Sequence, residues 1–322
     1  MAENRTLTAI RGVRVGHAQD LRRRTGTTVV LVNPPAVAFA DARGGWPGTF
    51  DTAASDLGKT FIERHALLLT GGDTYGFDAV RGIRRYLFER KLASRTGGAK
   101  MAAIMGTNIY DLEFGDTEDL DYTDMGYRAC VNASTRPVAQ GNVGAGTGAT
   151  VGPFFGRKGG TKGGLGSSAA RVGPWTVGTI VVTNSVGNVY DPFENRTIGG
   201  MRRAGRFLEM DDVLDEYVKH ITSRFGTTIG VVGTDAPLDH EQLARLAELA
   251  HDGIALAVRP AHMSTDGDTI LGFTTGRPRA KRLDYRAFDA LHAVAVREVA
   301  RAAVKSVYAA TTLGGVTGYR DL

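Results

Sequence analysis

One stretch of the sequence carries residue types that could attack an amide: Phe225-Gly226-Thr227-Thr228-Ile229-Gly230-Val231-Val232-Gly233-Thr234-Asp235-Ala236-Pro237-Leu238. Apolar spacing predicts a helix running into Gly226, and the β-branched run from Thr227 predicts a strand. If the Gly226-Thr227 bond were cut, Thr227 would hold a hydroxyl nucleophile and a free α-amine in one residue, and that amine is a built-in general base. An α-amine titrates at roughly 7.7–8.0, so part of it is neutral at physiological pH and no histidine is required. The same residues also describe a glycine that stops a helix before an ordinary strand. Composition and spacing alone favour the second reading.

Motifs for other chemistries fail on inspection. Gly144-Ala145-Gly146-Thr147-Gly148-Ala149 fits a loose dinucleotide fingerprint, but the strand before it is weak and no carboxylate lies near the ~20-residue offset used for a ribose. Gly58-Lys59-Thr60 resembles the end of a P-loop, yet Ala53 stands where its first glycine belongs. The histidines are scattered without zinc spacing, and Asp266-Gly267-Asp268 is followed by a strand pattern that supplies no calcium ligands. No Gly-x-Ser-x-Gly elbow occurs. The expectation is an activity without metal or cofactor.

The elements that must position Thr227 follow from periodicity. The chain has 322 residues, 42% of them hydrophobic and 23% charged, with no linker-like composition shift, so a single domain over 1–322 is expected. Strands are predicted at Thr27 to Val32, Val37 to Ala40, Ala66 to Leu69, Thr176 to Thr183, Thr227 to Val232, Ile254 to Val258 and Thr269 to Thr274. Most lack polar alternation, which suits sheets covered on both faces. Helices are predicted from Asp73 to Ala93, Phe207 to Arg224, Asp239 to His251 and Tyr285 to Tyr308, with Asp239 as an N-cap. Strands interleaved with helices argue for an α/β architecture. The glycine-dense segment from Gly141 to Gly173 reads either as a flexible surface connection or as backbone brought close to a substrate.

Cys130 is the only cysteine, the start Met1-Ala2-Glu3-Asn4-Arg5 lacks the apolar core of a secretory signal, and no run approaches the ~20 apolar residues of a membrane span. A soluble, cytoplasmic protein is expected. The net charge of +5 is gathered at Arg22-Arg23-Arg24, Arg81 to Lys91 and Arg277 to Arg282 without any recognition motif, which argues against nucleic acid as a partner.

Five ordered motifs add a resemblance: Gly12-Val13-Arg14-Val15-Gly16-His17; Ala42-Arg43-Gly44-Gly45-Trp46-Pro47-Gly48-Thr49; Leu69-Thr70-Gly71-Gly72 through Gly76-Phe77-Asp78-Ala79; Lys162-Gly163-Gly164-Leu165-Gly166; and Thr234-Asp235-Ala236-Pro237-Leu238. Over nearly its whole length the chain resembles the L-aminopeptidase/D-esterase family of self-processing hydrolases, which includes nylon-oligomer hydrolases. The resemblance implies an αββα sandwich of the N-terminal-nucleophile type, cleavage between Gly226 and Thr227 into an α fragment 1–226 and a β fragment 227–322, and a homo-oligomer of αβ units. It also implies site roles. Thr227 would be the nucleophile, Asn184 an oxyanion donor, Asp266 and Asp268 an acidic pair facing an ammonium group, and Tyr110 a neighbour of the site.

Two departures stand out. Val151-Gly152-Pro153 places proline where the nylon-hydrolase branch has lysine, which leaves Lys162 or Lys158 for that role. Gly226 matches the aminopeptidases while Thr227 matches the nylon branch, so the implied substrates span amino-acid amides, small peptides and aminohexanoate oligomers. Two rival readings remain. One is an acyltransferase of the ornithine-acetyltransferase type, although its Pro-Asn-Met-Ala-Thr-type motif is absent. The other is an unprocessed binding protein on the same scaffold.

Overall fold

The computed structural model describes residues 3–115, 119–156, 159–219, 225–277 and 282–322, and nine strands there form one sheet. They are β1 (Val13–Asp20), β2 (Thr25–Ala42), β3 (Thr49–Phe50), β4 (Glu63–Thr70), β5 (Ile104–Asn108), β6 (Gly164–Val172), β7 (Trp175–Asn184), β8 (Thr227–Thr234) and β9 (Thr269–Thr274). The order is β6-β7-β8-β9-β2-β4-β5-β3, with β1 on β2. Pairing is antiparallel except for β8 with β9 and β4 with β5.

β2 explains how one sheet makes two layers. Its first half pairs with β1 and β4, and its second half, Val37 to Ala42, pairs with β9. Between them the register with β4 shifts across Leu31 to Ala36, where Pro34 and Pro35 offer no N–H to a ladder. Two separate strands were expected here. The structure has one strand of 18 residues that crosses from layer to layer.

Side-chain alternation then sorts the residues into three cores. Val30, Val32, Leu67, Leu69 and Met105 meet Ile180, Val182, Ile229, Val231 and Leu271 between the two sheet layers. Val29, Leu31, Leu68 and Ile104 face outward onto helices α1 (Ala79–Glu89) and α2 (Tyr122–Val131). On the other side Val181, Val232 and Ile270 face α4 (His240–Ala257) and α5 (Tyr285–Tyr308), the short α3 (Met210–Lys219) having preceded them in the chain. The four layers are therefore α, β, β and α, and both sheet faces are buried, as the unalternating strands implied.

Several expectations need correction. Ile254 to Val258 is the last turn of α4 and the residue after it, because Ile254 and Ala257 extend the buried face of Ala247 and Ala250. A short apolar run cannot by itself distinguish strand from buried helix. Residues Asp73–Asp78 form a 3₁₀ turn, and the regular helix begins only at Ala79. The glycine-dense segment is no surface connection: much of it is buried and it contains β6, where a Cβ on Gly166 would stand 2.0 Å from Ala302 O of α5. Glycine there lets the helix lie directly on the strand. Asp239 caps α4 by accepting from Gln242 N at 2.8 Å, as expected. The end of the predicted helix, at residues 220–224, lies outside the described residues, as do Lys158 and residues 278–281 of the third basic cluster. Among the described residues no helix is long and apolar enough to cross a membrane.

Candidate active site

Thr227 is the first residue of β8 and lies opposite Asn184, the last residue of β7. β-branched residues from Thr227 onward favour the strand, and burial on both faces fixes its register. Just before it, Gly226 makes an isolated parallel bridge with Asp266. The Gly226 carbonyl accepts from Gly267 N at 3.1 Å and from Thr227 Oγ1 at 2.5 Å, so the side-chain hydroxyl lies against the carbonyl of its own preceding peptide bond. Thr227 is only 5% exposed.

The two aspartates hold the loop that wraps this bond. Asp268 accepts from Thr228 N at 2.6 Å through Oδ1, and through Oδ2 from His262 N at 3.0 Å and His262 Nδ1 at 2.8 Å. These bonds use both carboxylate oxygens and fix the backbone one residue past Thr227. Asp266 Oδ2 accepts from Met263 N at 2.9 Å, while Oδ1 has no partner of good geometry. Burial, then the nearby Asp268 carboxyl, pushes Asp266 up to about 7 against the pull of the Met263 and Val186 N–H groups and of His262. A carboxyl in that range exchanges a proton near neutrality.

Asn184 is 2% exposed and its orientation is set by its partners. Oδ1 accepts from Thr150 N at 2.8 Å, and since a backbone N–H can only donate, Nδ2 is the group that reaches Tyr110 O at 3.1 Å. Tyr110, two residues past β5, thus contributes its carbonyl to Asn184, and its ring lies 5.1 Å from that of Phe225. Lys162 is fully buried and donates to the carbonyls of Gly146 at 3.1 Å, Ala149 at 2.6 Å and Gly163 at 2.7 Å. It ties down the loop leading to Thr150, whose N–H in turn donates to Asn184.

A cavity of about 90 Å³ opens at this point, lined by Trp46, Asp73, Asn108, Tyr110, Phe225, Gly226, Thr227 and Thr265. Trp46, 65% exposed, meets the Phe225 ring edge-on at 4.9 Å, giving the mouth an aromatic rim. Asp73 and Asn108 were not singled out from the sequence. Asp73 directly follows the Gly71-Gly72 pair of a motif that was, and a carboxylate directly after paired glycines was the available signal. Burial raises the Asp73 carboxyl, against hydrogen bonds from Thr74 N–H and the Asn108 amide. Gly267 N–H was also missed, because a backbone donor leaves no trace in residue types. Among the described residues no group of three or more His, Cys, Asp or Glu side chains is placed to hold a metal ion.

Comparison with known proteins is consistent along the chain. The family model described as peptidase family S58 matches residues 5–320. An uncharacterized aminopeptidase of Mycobacterium tuberculosis is 34% identical over 98% of this chain and 97% of its own length. The 6-aminohexanoate-oligomer endohydrolase of Paenarthrobacter ureafaciens is 30% identical over 82% of this chain and 73% of its own. A Burkholderia sp. beta-aminopeptidase shares the fold with a TM-score of 0.72 at 24% identity, covering 98% and 91% of the two chains. The L-aminopeptidase D-Ala-esterase/amidase of Ochrobactrum anthropi, described as a variant of the Ntn hydrolase fold, gives 0.71 at 21% identity over 97% and 88%.

Proposed function

From the premise that this chain belongs to peptidase family S58, and is therefore a hydrolase of amide bonds, we propose that it matures by cutting itself between Gly226 and Thr227. The observation that carries this reading is the Thr227 hydroxyl lying 2.5 Å from the Gly226 carbonyl oxygen, with Gly267 N–H on the same oxygen. Attack of Oγ1 on the Gly226 carbonyl carbon places negative charge on an oxygen that already has a backbone donor aimed at it. Asp266, titrating at about 7, takes the hydroxyl proton in the intact chain, where no α-amine exists. Collapse breaks the C–N bond as Asp266 returns its proton to the nitrogen, which leaves as the Thr227 amine, and water hydrolyses the resulting ester. The products are an α fragment 1–226 and a β fragment 227–322.

In the mature enzyme Thr227 attacks the substrate carbonyl and its own amine takes the proton. Asn184 Nδ2 donates to the oxyanion beside Gly267 N–H. Asp73, across the cavity, receives the ammonium group of an amide with a free amino end. Substrates of that kind include amino-acid amides, small peptides and aminohexanoate oligomers, in keeping with the names of the relatives. Mass spectrometry of the purified protein tests the first step. Two fragments dividing at Thr227 are expected from wild type and one intact chain from Thr227→Ala, which should also lose amide turnover. An intact wild-type chain with full activity, or an active Thr227→Ala, overturns the reading.

A further inference from the structure

The start of β8 is held by a side chain, and that side chain has a holder of its own. The ladder between β8 and β9 ends with Ile229 opposite Thr269, so Thr227 and Thr228 run past it. Between that pair and the bridge of Gly226 with Asp266, Thr228 N is held across the gap by Asp268 Oδ1 at 2.6 Å. The main chain of Asp268 is anchored on another segment, its carbonyl accepting from Arg43 N at 2.9 Å. The direction of its carboxylate is set by His262, whose backbone N–H and ring Nδ1 both meet Oδ2, at 3.0 and 2.8 Å.

His262 does this in an unfavourable conformation. Its φ of 61° lies in the left-handed region, which suits glycine and asparagine and strains other residues. Such outliers persist where the surroundings over-determine them, and they gather at functional sites. The ring is equally constrained. Nδ1–H donates to Asp268, while Nε2 is closed off from solvent and has no hydrogen-bond partner among the described residues. A neutral ring protonated at Nδ1 fits these surroundings, since a second proton on Nε2 would add a buried charge and a donor without an acceptor. Behind it stands His251 of α4, edge-on with ring centres 4.9 Å apart. His251 Nε2 donates to the Asp41 carbonyl at 3.0 Å, and burial pushes His251 down to about 4, so it brings no positive charge against His262 near neutrality. The other charged groups around the pair are Asp41 and Arg43, bonded to each other at 2.8 Å, and Asp266.

We infer that His262 is a positioning residue for Thr227: its ring Nδ1–H keeps Asp268 turned so that Oδ1 stays on Thr228 N, which fixes the place of the neighbouring hydroxyl. This rests on the reading of Thr227 as the nucleophile and adds the group that keeps it in place. In the cut chain the Thr227 amine also lies one residue from the N–H that Asp268 holds, so a carboxylate free to rotate would let nucleophile and base drift together. His262 does not line the cavity beside Thr227. Its loss should therefore appear in kcat and leave KM nearly unchanged.

The test exchanges the donor atom. An asparagine amide can place Nδ2 where the imidazole Nδ1 stands and tolerates left-handed backbone, whereas glutamine reaches the Nε2 position instead. Turnover is measured per processed chain, the processed fraction coming from gel densitometry, on whichever of the glycine, β-alanine and L-alanine p-nitroanilides wild type cleaves fastest. His262→Gln should lose at least about tenfold in kcat with KM within about threefold of wild type, and His262→Asn should recover kcat to within about threefold. Both variants at the wild-type kcat, both equally impaired, glutamine above asparagine, or a loss confined to KM overturns the inference. Melting in a Thr227→Ala background reports whether each variant folds. The ¹⁵N spectrum of the His262 ring in that background needs no substitution at 262: a protonated Nδ1 is expected, and a bare Nδ1 overturns the inference. An active Thr227→Ala brings down the nucleophile reading and this inference with it. A Thr227-dependent enzyme indifferent to the exchange at His262 brings down the inference alone.

Discussion

Removing Asp268 should unseat the nucleophile without touching it. The side chain is 1% exposed and accepts from Thr228 N, His262 N and His262 Nδ1 at 2.6, 3.0 and 2.8 Å. Asp268→Ala leaves these donors without an acceptor in a site closed to water, a loss on the order of 3–5 kcal/mol by analogy with breaking a buried charged network. With an unfolding entropy of ~2.1 cal/mol/K per residue over 322 residues, that is a fall in melting temperature of about 4–7 °C. The melting assay belongs in a Thr227→Ala background, so that every variant remains one chain. Asp268→Asn keeps the volume but turns a donor toward a donor, and should fall too. If volume alone mattered, Asp268→Asn would melt like the parent. With Thr227 restored, self-cleavage followed by gel densitometry should slow at least about 100-fold, since small misplacements of a reacting group cost about that much. Both variants melting within about 1 °C of the parent and cleaving normally would refute the claim that Asp268 holds the strand start.

Asn184→Ala should lower amide turnover about 10²–10³-fold, the usual cost of an oxyanion donor, with a melting loss limited to the orphaned Thr150 N–H; a decrease of less than about threefold removes Asn184 from the oxyanion site. Asp73→Asn should raise KM for amino-ended substrates at least about tenfold while leaving precursor cleavage unchanged, because only the substrate brings an ammonium group to that cavity; equal effects on an N-acetylated substrate would contradict this. Asp266 binds its proton more tightly folded than unfolded, so its contribution to stability is full below the unfolded pKa near ~4 and is lost as pH rises through about 7. His17 and His251, held down to about 4 by burial, lose stability in the opposite direction as pH falls from ~6.5. The difference in melting between wild type and Asp266→Asn, both in the Thr227→Ala background, therefore isolates the carboxyl: the Asn variant should gain relative stability as pH rises from ~4 to 7, and a flat difference would show that Asp266 titrates normally.

How much of this was legible in the sequence depends on whether a residue acts through its type or its place. Thr227 was named from its type and its place before a strand, Asn184, Asp266 and Asp268 only from the resemblance, and the structure brings all four around one peptide bond. The four-layer arrangement followed from the resemblance, while periodicity supplied only interleaved strands and helices. Lys162 was the replacement considered for a lysine missing at Pro153. Its ammonium is spent on backbone carbonyls, a burial that no local pattern signals because the acceptors come from Gly146, Ala149 and Gly163. Gly226 could be read as a helix stop, whereas in the structure a Cβ there would meet Val186 and Asp266 from two other segments. Contacts between distant segments are where sequence patterns lose information, and the cavity is built of such contacts.

Placing Thr227 on a central strand has a consequence for the proposed cut. β7 ends the predicted α fragment's share of the sheet, β8 and β9 belong to the β fragment, and β2, again from the α fragment, pairs with β9. The β fragment's two strands therefore sit between strands of the α fragment. Cutting Gly226-Thr227 leaves intact the eight residue pairs from Val177 with Thr234 to Asn184 with Thr227, and the six pairs of β9 with β2. Separating the fragments would open the sheet on both sides of β8 and β9 and expose the core of Ile229, Val231, Leu271 and Phe273. The two pieces should accordingly co-elute as one particle under native conditions and part only in denaturant. Fragments that separate on a native column while amide turnover persists would mean that the new threonine terminus is not held by β7, and that the strand pairing does not position the nucleophile.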